Sequence, residues 1–228
     1  TIAAATDINV TGAGGVTLGT TAIAVGTDFD GNDGADSVIL GATTQGITMG
    51  AGDDTVTYGG AAGTGGSVAA GSGTADKIIM TAAQAAAADA NTTFNTTFTG
   101  FEVLQISDAL AANSLDTDLL NNVNHVILAA DTAGDSTLSN MDDGAQIDIK
   151  AARATDILSV GITGANTGTN DTLNVAIVNA AGIDAGIISA ASVETINIVA
   201  ADATATGGTA VGHTIDLDAA TGYKAVNV

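Results

Sequence analysis

The chain has 228 residues and a formal charge of −21, from 25 Asp and Glu against 4 Lys and Arg, a balance that excludes nucleic acid as a partner and disfavours anionic membrane surfaces. It contains no cysteine and only 3% aromatic residues, which rules out disulfides, thiolate metal sites and ring platforms for stacking bases. Hydrophobic residues nevertheless make up 46%, with mean hydropathy +0.37, so this is a folded acidic chain in need of counter-cations rather than a disordered tail.

Along the chain, short alternating runs separated by Gly, Asn, Asp and Thr predict strands at 55–58, 103–106, 146–149, 172–175, 195–198 and 214–217. An alanine-rich stretch predicts a short helix at 81–91. A second helix is expected after Ser114 as N-cap, from the apolar spacing of Leu115, Leu119, Leu120 and Val123. No apolar run reaches the roughly 18 residues that a membrane helix needs, so no membrane insertion is expected. The last residues, 225–228, alternate like a strand with no closing turn, and residues 1–228 are therefore expected to be an excerpt of a longer repetitive protein. Strands this short, with small aliphatics to bury and no proline to interrupt a ladder, predict an all-β fold. The expected form is a parallel β-solenoid, a β-roll-like stack with one or two short helices in its loops; a β-sandwich is the alternative.

Of the 25 acids all but Glu102 and Glu194 are Asp, the acid suited to turns and short-reach oxygen ligation. Gly31-Asn32-Asp33-Gly34-Ala35-Asp36-Ser37-Val38-Ile39 fits the calcium-binding nonapeptide G-G-x-G-x-D-x-U-x with one departure, Asn32. Met49-Gly50-Ala51-Gly52-Asp53-Asp54-Thr55-Val56-Thr57 fits again, with Met49 in the first place. Asp36 and Asp54 are 18 residues apart, two nonapeptide steps. Between them lies a degenerate copy with Gln45 in the acid position, and a partial copy at 71–78 carries one extra residue between its second Gly and Asp76. An EF-hand beginning at Asp28 fails, because Asp33 and Ile39 occupy the places that require Gly and Glu. Asp28, Asp30, Asp33, Asp53 and Asp76 stay as candidate additional ligands; a Gly/Asp-rich turn without metal is the alternative.

These nonapeptides resemble the repeats-in-toxin (RTX) calcium-binding β-roll. The resemblance implies that two nonapeptides form one coil and that Asp36 and Asp54 meet across a calcium ion. Carbonyls of Asn32, Gly34, Met49 and Ala51 would complete its oxygen shell. The run 34–44, the run 49–57, and the later Gly65-Gly66-Ser67-Val68, Gly100-Phe101-Glu102-Val103-Leu104 and Val193-Glu194-Thr195-Ile196-Asn197-Ile198-Val199-Ala200 are similar to the Caulobacter-type surface-layer (S-layer) proteins. That resemblance covers residues 28–228. It implies a secreted bacterial protein, exported by type I secretion, that tiles the cell surface as a calcium-rich two-dimensional lattice. Its partners would be copies of itself and, through a part of the protein outside these residues, cell-surface polysaccharide. Residues 28–80 form the RTX-like segment in this reading, and 100–228 carry further stacked repeats.

No enzyme is expected. Glu102 and Glu194 share a local frame but are far apart in sequence, so each reads as a solvated or calcium-touching repeat position rather than half of an acid–base pair. His125 and His213 lack an H-E-x-x-H context and are expected in hydrogen-bonded or surface roles. The close acid pairs Asp116/Asp118, Asp142/Asp143 and Asp216/Asp218 read equally as solvated turns or as calcium ligands. Two rival functions remain at this level: an adhesin or ice-binding segment with flat Thr faces at Thr92-Thr93 and Thr96-Thr97, and the calcium-binding tail of a secreted hydrolase.

Overall fold

In a computed structural model, which describes residues 5–130, 134–153, 155–202, 212–218 and 225–228, the chain is a parallel β-solenoid. Each coil places one short strand in one sheet and the next strand in another, and the strands pair in parallel within each unit. Two compact units are distinguished, one of residues 1–105 with 119–123, the other of 106–118 with 124–228.

The first unit contains β1 (Asp7–Asn9), β2 (Thr17–Ile23), β3 (Asp28–Asp30), β4 (Ser37–Leu40), β5 (Gly46–Thr48), β6 (Thr55–Thr57), β7 (Ser67–Ala69), β8 (Lys77–Met80) and β9 (Phe98–Thr99). β10 (Val103–Ile106) spans the unit boundary. Odd-numbered strands pair in one sheet and even-numbered strands in the other. The register stacks like on like: Leu18, Val38, Val56 and Ile78 form one column, and Phe29, Ile47, Val68 and Phe98 another. From Val38 and Phe29 onward these side chains are buried, so each coil contributes a few apolar groups and relies on its neighbours for the rest of the core. Between β8 and β9 the chain makes two helices, α1 (Ala82–Asp89) and α2 (Phe94–Thr97). Thr81 and Gln84 close a reciprocal capping box at the start of α1, which buries Ala82, Ala85 and Ala88. Phe94 stacks on Phe98 with ring centres 5.0 Å apart, and Tyr58 meets Phe98 at 5.1 Å.

The second unit contains β11 (Ser114–Asp116), β12 (His125–Leu128), β13 (Ser136–Met141), β14 (Ala145–Ile149), β15 (Ile157–Ile162), β16 (Thr172–Asn179), β17 (Asp184–Ser189), β18 (Thr195–Asp202), β19 (Thr214–Leu217) and β20 (Ala225–Asn227). Val126, Ile147, Val175 and Ile198 stack through its even-numbered strands, and Leu115, Leu138 and Val160 through the odd-numbered ones. On the opposite face of the even-numbered sheet an amide ladder fixes the register. Asn227 Nδ2 donates to Asn197 Oδ1 at 2.7 Å, and Asn197 Nδ2 to Asn174 Oδ1 at 2.9 Å.

Each predicted strand run and the helix at 81–91 is present. The helix expected after Ser114 is not: Ser114–Asp116 is strand β11, followed by a single 3-10 turn at Thr117–Leu119. Leu115 pairs with Leu138 in the neighbouring coil, so inter-coil packing overrides the helical spacing, and Leu119 is left exposed. Thr92 and Thr93 lie in the turn leading to α2, and Thr96 and Thr97 are in that helix. They form no flat strand face. Among the described residues no helix is long and apolar enough to cross a membrane.

Candidate cation site

Asp36, Asp54 and Asp76 occupy one structural position, the residue immediately before β4, β6 and β8. The nonapeptide spacing thus becomes a physical stack. Each carboxylate reaches back one coil and accepts a backbone N–H: Asp36 Oδ1 from Val16 at 2.6 Å, Asp54 Oδ1 from Asp36 at 2.6 Å, and Asp76 Oδ1 from Asp54 at 2.7 Å. The sequence separation grows from 18 to 22 residues between the last two steps. The extra residues before Asp76 are absorbed in the loops, and Thr55 still pairs with Lys77.

Beside this column the glycine turns lie one on another. Ala51 N–H donates to the Asn32 carbonyl at 2.7 Å, Ser72 N–H to the Gly50 carbonyl at 2.8 Å, and Gly52 N–H to the Ser72 carbonyl at 3.2 Å. Gly52 packs against the Gly34 backbone. Gly50 and Gly71 both hold φ near +109°, and a Cβ on Gly50 would overlap the Asn32 carbonyl, which explains the residue type at this position of the repeat. The Met49 side chain is core, while its N–H donates to the Ala69 carbonyl at 2.9 Å. Asp33 is exposed on its turn. Asp53, also exposed, accepts from the N–H groups of Thr74 and Ala75 at 3.0 and 3.1 Å and so fastens the next turn. These hydrogen bonds, led by that from Thr74, lower its pKa. Asp28 and Asp30 belong to β3, flanking the buried Phe29, and are not part of the column.

Asp54 and Asp76 are each 0% exposed, and the second carboxylate oxygen of each, Oδ2, is buried without a hydrogen-bond partner. Burial pushes the Asp54 pKa up to about 6, and the charges of Asp76 and Asp36 add to it against the hydrogen bond from Asp36. Burial raises Asp76 as well. A bare, buried carboxylate oxygen is costly unless a cation or a proton neutralises it. A carboxylate oxygen is a hard ligand of the kind calcium prefers. Among the described residues no three Asp, Glu or His side chains converge on one point, so a calcium ion in the turns would draw most of its ligands from backbone carbonyls.

A proton competes for the same charge. With a folded pKa near 6 against 3.8 for a free side chain, the folded protein holds more protons than the unfolded chain between those values. In EGTA, the contribution of Asp54 to stability is therefore full below about pH 4 and is lost as pH rises through about 6. Thermal melts in EGTA should show wild type losing stability relative to Asp54→Asn between about pH 4 and pH 7; parallel profiles would contradict the buried ionisation.

The sequence marks Glu102 as a solvated or calcium-touching repeat position but does not place it in this column, of which it is the fourth member. Glu102, immediately before β10, accepts the N–H of Asp76 through Oε2 at 2.9 Å. The shared signal is an acid, any residue, then an aliphatic: Asp36-Ser37-Val38, Asp54-Thr55-Val56, Asp76-Lys77-Ile78, Glu102-Val103-Leu104, and in the second unit Asp171-Thr172-Leu173 and Glu194-Thr195-Ile196. Several of the remaining acids make local contacts. Asp116 accepts from Asp118 N–H and from Asn140 Nδ2, Asp143 from Thr172 N–H, and Asp218 from Ser189 Oγ. His125 Nε2 lies 3.3 Å from Asp148 Oδ1, and Lys150 Nζ lies 3.2 Å from Oδ2. Burial opposes ionisation of Asp148, but hydrogen bonds from His125 and Gln146 and the Lys150 charge outweigh it and hold the carboxyl well below the usual range. His213 Nδ1 accepts from Ile183 N–H at 3.3 Å. Arg153, for which the sequence carries no signal, is 1% exposed and donates to Ser136 Oγ at 3.1 Å.

The chain matches no family model, and no curated protein matches it significantly.

Proposed function

We propose that this chain is a structural, non-enzymatic segment of a secreted bacterial surface layer, a solenoid stabilised by calcium that assembles with copies of itself into a two-dimensional array. The observation that carries the reading is the column of buried acids beside stacked glycine turns, with Asp54 Oδ2 lacking a hydrogen-bond partner. Asp36 and Asp54, with the turn carbonyls of Asn32, Gly34, Met49 and Ala51, are the groups that would hold the ion. Calcium there supplies positive charge that removes repulsion between coils and orders the turns. The same ion serves assembly. Copies that each carry −21 repel one another until divalent cations screen or bridge their exposed acids, among which Asp30, Asp33 and Asp53 lie on the surface. Lateral association of this kind needs no catalytic centre, and the polar, acid-rich turns favour it over an apolar docking face.

Electron microscopy of the purified protein tests the array directly. Millimolar calcium should yield ordered sheets and EGTA should disperse them; separate particles under both conditions would refute self-assembly.

A further inference from the structure

Two pairs of carboxylates, one in each unit, are built alike. In the first unit Glu102 Oε2 accepts the N–H of Asp76 at 2.9 Å, and in the second Glu194 Oε2 accepts the N–H of Asp171 at 3.0 Å. In the opposite direction, the Asp76 carbonyl accepts from the N–H groups of Glu102 and Val103, both at 3.0 Å. The Asp171 carbonyl accepts from Glu194 and Thr195 at 3.1 and 3.0 Å. In both pairs the Oδ2 atom of the Asp is buried and makes no hydrogen bond; Asp76 as a whole is 0% exposed, whereas Asp171 is half-buried and its carboxyl also meets that of Glu194. The partners are 26 and 23 residues apart. These coils are longer than the 18-residue coil that joins Asp36 to Asp54, and here the acid is Glu, whose additional methylene extends its reach.

The repetition of one arrangement in two places argues against a chance approach of acids. Backbone hydrogen bonds lock each Asp–Glu pair together although their like charges repel. Burial first, and then the charge of Asp76, raise the pKa of Glu102; burial, then the charges of Glu194 and Asp143, raise that of Asp171. With four basic side chains for 25 acids, an inorganic cation is the counter-charge available to most of these groups.

We propose that Asp76 with Glu102, and Asp171 with Glu194, each form a binding site for a hard divalent cation such as calcium, distinct from the ion assigned to Asp36 and Asp54. The proposal rests on the reading that calcium stabilises this chain, and it places sites where no clean nonapeptide marks one. In each site the Asp contributes its bare Oδ2 and the Glu its carboxylate. A cation bound there ties one coil to the next.

Calcium titration calorimetry on the intact chain tests it, with Glu102→Gln, Glu194→Gln and the double variant. Glutamine keeps an oxygen that accepts the Asp N–H, so the coil contact survives while the charge is lost. Each single variant should lose one calcium equivalent, or weaken one class of site by at least about tenfold, and the double variant should lose two. Asp76→Asn, which retains an oxygen for the Asp54 N–H, should remove the same site as Glu102→Gln and decides the matter if the latter does not fold. Wild-type uptake left unchanged by these variants would overturn the paired sites while leaving the turn-bound calcium intact. A wild-type chain that takes up no calcium would overturn both.

Discussion

Chelation of calcium with EGTA should loosen the solenoid, lower its β-sheet circular dichroism and shift its melting temperature downward by a wide margin. The expectation follows from linkage. An ion that binds only the folded chain, present at a hundredfold over its Kd, stabilises by about 2.7 kcal/mol. Two such ions would contribute about 5 kcal/mol, worth roughly 10–20 °C for a chain of this length. The opposing term is the repulsion of a −21 chain whose acids are stacked coil on coil. Magnesium should restore much less than calcium, because it demands a compact octahedral shell that carbonyl-rich turns fit poorly. Identical spectra and melts in EGTA and in millimolar calcium would show that the turns stand without the ion, and the proposed function would fall with that result.

Much of this architecture is legible in the sequence because a solenoid writes its structure locally. The separation of Asp36 from Asp54 equals the coil length, so register can be read by counting, and Ser37 does pair with Thr55. Counting fails where coils lengthen. Val68 pairs with Phe98 only after α1 and α2 have been looped out, and no fixed period reveals that pairing. The Ser114 segment misleads for a different reason. Its apolar residues have helical spacing, yet Leu115 gains more by stacking on Leu138 than a short isolated helix could provide. Glu102 stands out as a repeat position but not as the next member of the Asp column, because the metal-binding repeat is written with Asp. Its place in the column follows from what stands next to it, an aliphatic two residues on, rather than from its own side chain. The buried Arg153 left no trace in the pattern at all.

Gly71→Ala should destabilise the fold while Gly41→Ala should not, and the difference tests the turn stack itself. Gly71 has φ near +109°, and a Cβ there would overlap the carbonyl oxygen of Gly50 in the turn beneath. In Gly71→Ala the backbone strain alone costs about 1–3 kcal/mol. Relieving the overlap requires the turns to separate, which breaks the hydrogen bond from Ser72 N–H to the Gly50 carbonyl, a further loss of about 1 kcal/mol. Calcium-dependent stabilisation should shrink with it, since the same movement displaces the turn carbonyls. Gly41 belongs to the degenerate copy, has no positive φ, and a Cβ there meets nothing within 4 Å. Gly41→Ala should therefore be neutral or stabilise by up to about 1 kcal/mol, by reducing the freedom of the unfolded chain. Melting both variants with and without calcium separates the cases. If Gly71→Ala melts at the wild-type temperature and keeps its full response to calcium, the turns do not stack backbone on backbone, and the cation site built on that stacking is wrong.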